Sequence, residues 1–139
     1  MENVKVRINT SQTIDQAGNE DVIELLTEAS LEKLDECFVI NYDDSTMTEQ
    51  EGSRTRLKIY KNKMLMTKVG VYSTKMEFEE GVSYNNLYTT PYGNFDLEFI
   101  TILYDNKLNE EGKGSVYIEY KIIFASLEEI YTKLNIDIF

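Results

Sequence analysis

The chain has 139 residues, one proline and seven glycines, which fits a single domain with one core and leaves no composition for a long linker. It carries 14 Lys+Arg against 25 Asp+Glu, a net charge of −11, which disfavours a general nucleic-acid binder or an adhesive for anionic membranes. With no histidine and a single cysteine, an internal disulfide, a thiolate metal cluster and every Ser-His or Cys-His nucleophile pair are excluded.

The chain opens on VKVRI, where Val4, Val6 and Ile8 share one face and Lys5 and Arg7 the other. This is strand alternation, not an apolar leader. No run approaches the roughly 18–20 apolar residues of a membrane helix, so the expectation is a cytoplasmic protein. DVIELLTEASLEKL is ambiguous. Val22, Leu25, Leu26 and Ala29 follow helical spacing, with Asp21 and Glu24 resembling a capping box, yet the segment also suits a strand. Cys37 precedes FVINY and reads as a buried, inert thiol.

From Ser53 to Lys75 the chain has no acid and holds seven of its 14 cations. In TRLKIY, Leu57 and Ile59 alternate with Arg56, Lys58 and Tyr60. The plain expectation is that these cations pair across strands with neighbours such as Glu77, Glu79 and Glu98. The alternatives are an anion site, since a guanidinium suits a carboxylate or phosphate, or a docking patch for an acidic partner. Met64, Met66 and Met76 read as adaptable core or as the wall of an apolar cavity.

LYTTPYGNFDLEFIT contains the only proline. Pro91 cannot donate to a central ladder, and Pro-Tyr-Gly suits a corner between strands, with Gly93 free to take a positive φ. Phe95, Leu97 and Phe99 then alternate with Asp96 and Glu98. The acids of NEEGKGS lack the spacing of a calcium loop, and GKGS leads into a strand pattern, so neither a metal nor a phosphate loop is expected. SVYIEYKIIF places Val116, Ile118, Tyr120, Ile122 and Phe124 on one face, and KLNIDIF does the same with Leu134, Ile136 and Ile138. SLEEIYTKL admits a short helical turn near residues 126–131.

Short strands separated by turn signals describe an all-β domain spanning residues 1–139: one antiparallel β-barrel of about eight to ten strands, closed to remove its edges. GNEDVIELLTEAS, YDDSTMTEQEGSRTRLKI, KVGVYSTKMEFEEG, YTTPYGNFDLE and LNEEGKGSVYIEY, in this order and spacing, resemble the YwiB-like proteins, a bacterial family of unknown function. The resemblance implies a small barrel related to the calycins and lipocalins, with a central cavity that could hold a ligand. It also implies a strand at EDVIELLTEAS. It brings no established activity.

The sequence therefore leads to a non-enzymatic protein with no catalytic residues, metal or cofactor, binding a small apolar or amphiphilic molecule in the barrel. Arg56 and Lys58 are candidates for the ligand's anionic end, and Tyr88 and Tyr92 for the rim where it enters. The alternative is a protein-interaction or structural module with a filled core. Neither DNA nor membrane is expected as a partner.

Overall fold

The computed structural model describes residues 2–13, 20–43, 54–70, 73–124 and 128–139, excepting the side chains of 86–88, 90, 124 and 128. Ten strands follow one another: β1 Glu2–Thr13, β2 Glu20–Lys33, β3 Phe38–Asp43, β4 Arg54–Ile59, β5 Lys63–Val69, β6 Thr74–Glu79, β7 Ser83–Thr90, β8 Gly93–Asn106, β9 Gly114–Phe124 and β10 Glu128–Ile138. All pairings are antiparallel, in the order β6-β5-β4-β3-β2-β1-β10-β9-β8-β7. Each strand thus pairs with its sequence neighbour, except that β1 meets β10 and β6 forms no ladder with β7. The sheet curls into a nearly closed barrel, consistent with a calycin-like architecture.

Side-chain parity sets the interior. Val4, Val6 and Ile8 of β1, Ile40 and Tyr42 of β3, and Leu57 and Ile59 of β4 are buried inside, while Arg56, Lys58 and Asn41 point out. Strand β2 settles the ambiguous segment. It pairs with β1 over twelve consecutive positions, and of its four helix-spaced residues Leu25 and Ala29 face in while Val22 and Leu26 are exposed outside. The sequence admits at most one short helical turn near 126–131, and the described part of that stretch is strand. Residues 128–131 belong to β10 and pair with Phe124 to Lys121 of β9, since the ladder satisfies their backbone groups; 126 and 127 lie outside the described residues. No helix occurs among the described residues, and hence none long and apolar enough to cross a membrane.

Strand β8 carries one extra residue. Thr101 faces Tyr120 of β9, but Leu103 already faces Glu119, so Ile102 bulges out of the ladder. The bulge reverses parity, and Tyr104 then points inward opposite Ile118. Its hydroxyl donates to the carbonyls of Tyr60 (2.7 Å) and Lys63 (3.0 Å), and Asn106 Nδ2 donates to Tyr60 O at 3.0 Å. These bonds tie β8 to the β4–β5 turn across one end of the barrel. Among the described residues, backbone bonds hold the β6–β7 hairpin at its ends: Val82 N donates to Glu79 O (3.0 Å), and Ser73 and Thr89 exchange two bonds of 3.1 Å.

Candidate functional site

The two ends of the barrel differ. At the end crossed by Tyr104, the interior is packed by Phe78, Phe99, Leu57, Ile59, Met64 and Ile118, none more than 1% exposed. At the other end, where β1 passes to β2, β3 to β4 and β5 to β6, a cavity of about 310 Å³ opens inside the sheet. That volume stands at the lower limit of small-molecule sites, roughly 300–1,000 Å³. Its walls are Ile8, Leu25, Met66, Met76, Ile122 and Leu134, contributed by six strands.

The cavity's polar groups are few. Thr10, Gln12 and Lys68 line it, and the Tyr42 and Tyr120 rings border it. Lys68 follows Met64 and Met66 by strand parity, so it is the inward residue where β5 approaches the rim. Among the described residues no carboxylate pairs with it. Tyr120 packs against Phe78 at 4.7 Å and Phe99 at 6.5 Å between ring centroids. Burial pushes its hydroxyl pKa up to about 12, against the opposing effect of the neighbouring Thr132 hydroxyl. Thr132 Oγ1 and Thr101 Oγ1, which flank Tyr120 in the ladder, are buried without a regular hydrogen bond among the described residues.

Arg56 and Lys58 do not line this cavity. They stand on the outer face of β4, because Leu57 and Ile59 between them take the interior. With Arg54, Lys75, Leu65, Thr67 and Val69 they border an external groove of about 690 Å³. Arg56 Nε donates to Asn41 Oδ1 at 3.1 Å. The expected cross-strand ion pairs are largely missing. Among the described residues only Lys63 of this cationic window pairs with an acid, Glu77 at 3.7 Å, while Glu98 accepts from Ser83 Oγ at 2.8 Å.

Tyr92 lies in the β7–β8 turn and is 87% exposed, and Gly93 beside it takes φ +130° as the turn requires. Tyr88 is in β7, but its side chain lies outside the described residues. The structure thus separates the three candidates whose side chains it describes. Arg56 and Lys58 share the groove, whereas Tyr92 sits in a turn at the same end of the barrel as the cavity. The residue that sequence reasoning passed over is Lys68. Extending the Met64–Met66 parity by one step would have found it. Cys37 is buried just before β3.

Taken together, these features define a small antiparallel barrel filled at one end and hollow at the other. Residues 7–136 match the family described as Domain of unknown function (DUF1934), and the chain belongs to that family. It is also similar to the solved structure of the ywiB protein from Bacillus subtilis. That likeness has a TM-score of 0.68 at 17% identity and covers 97% of this chain and 92% of that one, a likeness of fold. No curated protein matches the sequence.

Proposed function

We propose that the protein is a non-enzymatic cytoplasmic carrier or sensor that binds a small amphiphile in the hollow end of the barrel. The observation that carries this reading is the cavity itself: an apolar wall with two adaptable methionines, and one cation, Lys68, near the mouth. An acyl chain would replace water against Ile8, Leu25, Met66 and Met76. Its anionic head would meet Lys68, Gln12 and Thr10. The chain's lack of histidine supports a binding role over acid–base chemistry.

Calorimetric titration with dodecanoate and dodecanol tests the reading. Saturable binding of dodecanoate is expected. Met76→Trp, which fills the cavity, should weaken both ligands at least tenfold. Lys68→Gln should weaken dodecanoate several-fold more than dodecanol. No binding by the wild type, or equal binding by Met76→Trp, removes the carrier reading. A second reading, an interaction module, has one observation in its favour: Val22 and Leu26 stand 65% and 56% exposed on the outer face of β2.

A further inference from the structure

The external groove is independent of the barrel cavity and has a different chemistry. Strand β4 presents Arg54, Arg56 and Lys58 outward in succession, at about 7 Å per two residues. The ladder then builds a row across the sheet: Asn41 opposite Arg56, Arg56 opposite Thr67, and Thr67 opposite Lys75. The row therefore holds an amide, a guanidinium, a hydroxyl and an ammonium at about 5 Å intervals. Asn41 fixes Arg56 through Nε, which leaves the two terminal nitrogens of the guanidinium for another acceptor. Leu65 and Val69 supply apolar ground on either side of Thr67.

Four cations thus gather in one groove on a chain of net charge −11. Among the described residues none of the four makes an ion pair. The one carboxylate lining the groove, Glu77, is engaged by Lys63 at 3.7 Å. Like charges so close repel one another, and a bound anion relieves that repulsion. The groove is also bounded. Glu28 and Glu32 of β2 lie beyond it on one side, and on the other Glu77 lines its edge with Glu79 of β6 beyond. A long polyanion would run from the cations onto these acids, whereas a compact one would not.

We infer that this groove binds a small phosphorylated metabolite carrying two anionic groups about 7 Å apart, the same-face spacing along β4. One phosphate lies over Thr67 between Arg56 and Lys75. The second lies beside Lys58 or Arg54, and the carbon skeleton rests on Leu65 and Val69. Guanidinium and ammonium suit phosphate here because both keep their charge at neutral pH and offer several donors.

The test titrates the full chain with fructose 1,6-bisphosphate, inorganic phosphate and a single-stranded oligonucleotide, each at low and moderate salt. The bisphosphate is expected to bind one per chain, at least tenfold more tightly than inorganic phosphate, and to weaken with salt. Amide shift changes in the wild-type spectrum should map to β4, β5 and β6. The Arg56→Gln/Lys58→Gln/Lys75→Gln variant should lose at least tenfold in affinity, and Lys107→Gln/Lys133→Gln, outside the groove, should lose none. Shift changes elsewhere, bisphosphate binding no tighter than phosphate, or tighter binding of the oligonucleotide would overturn the inference. Because the mapping uses unaltered protein, a misfolded variant does not rescue it.

Discussion

Gly112 and Gly81 isolate two costs that usually arrive together. Both take a φ near +80°, at +82° and +80° respectively, a region that L side chains enter at a cost. A Cβ on Gly81 would meet nothing within 4 Å, whereas a Cβ on Gly112 would lie 2.7 Å from the Phe38 ring. Gly112 belongs to the β8–β9 turn, where its N–H donates to Asn109 O at 3.0 Å, so the loop cannot simply move away from Phe38. Gly81→Ala should therefore cost about 1 kcal/mol, the backbone cost alone. Gly112→Ala should cost roughly 2–3 kcal/mol, since backbone strain and a clash act together. Urea unfolding of both variants checks this. Equal losses would mean that Phe38 yields freely and that this turn is not packed as described.

The β6–β7 seam is the element on which closure depends. Strand β6 pairs fully with β5, and β7 with β8, but among the described residues the backbones of β6 and β7 are bonded only at the Glu79–Val82 turn and the Ser73–Thr89 bridge. Tyr84 of β7 stands beside Glu77 and Glu79; burial first, and then those carboxylates, hold its hydroxyl above the ordinary tyrosine range. Amides of β6 and β7 that face the seam should exchange with solvent at least a hundredfold faster than those of β1 and β10, which are laddered on both sides. Comparable protection, read by hydrogen exchange, would refute a seam. Parity made most of this fold legible, since alternation in VKVRI, TRLKIY and SVYIEYKIIF already separates inside from outside. It failed where the sequence is uniformly apolar. FITILY gives no sign of which residue bulges, and only the ladder places Ile102 outside and Tyr104 in. In β2, helix-spaced apolar residues fall on both faces of the strand, and twelve pairings with β1 override local preference. The same parity that sends Leu57 and Ile59 inward sends Arg56 and Lys58 outward, so the cavity inside the barrel is lined by Lys68 and not by them.

At the scale of the whole molecule, two tyrosines of the interior, Tyr104 and Tyr120, shape the barrel's response to base. Burial pushes Tyr120 up to about 12 and raises Tyr104 further still, because a phenolate in either position would lose its water. In the unfolded chain both titrate near 10. Below pH 10 native and unfolded chains hold these protons equally, so neither group makes stability depend on pH. Between pH 10 and 12 the unfolded chain releases them while the native barrel keeps them. The unfolded state then binds fewer protons, and stability falls as pH rises. Tyr120 alone should account for a loss on the order of 2 kcal/mol across that window. Tyr120→Phe removes the ionisable group but keeps the ring against Phe78 and Phe99, so its urea midpoint should fall less steeply from pH 10 to 12 than that of the wild type. Tyr104→Phe also flattens the fall, but it starts from a lower midpoint at pH 7, because the hydroxyl's bonds to Tyr60 O and Lys63 O are lost, leaving those carbonyls only Asn106 Nδ2 and Tyr60 N as donors. The two variants thereby separate the halves of the barrel: one hydroxyl bonds the packed end shut, and the other borders the cavity and bonds little. Parallel midpoint curves for wild type and Tyr120→Phe would show that its hydroxyl reaches water through the cavity mouth, and would place the hollow end in open exchange with solvent.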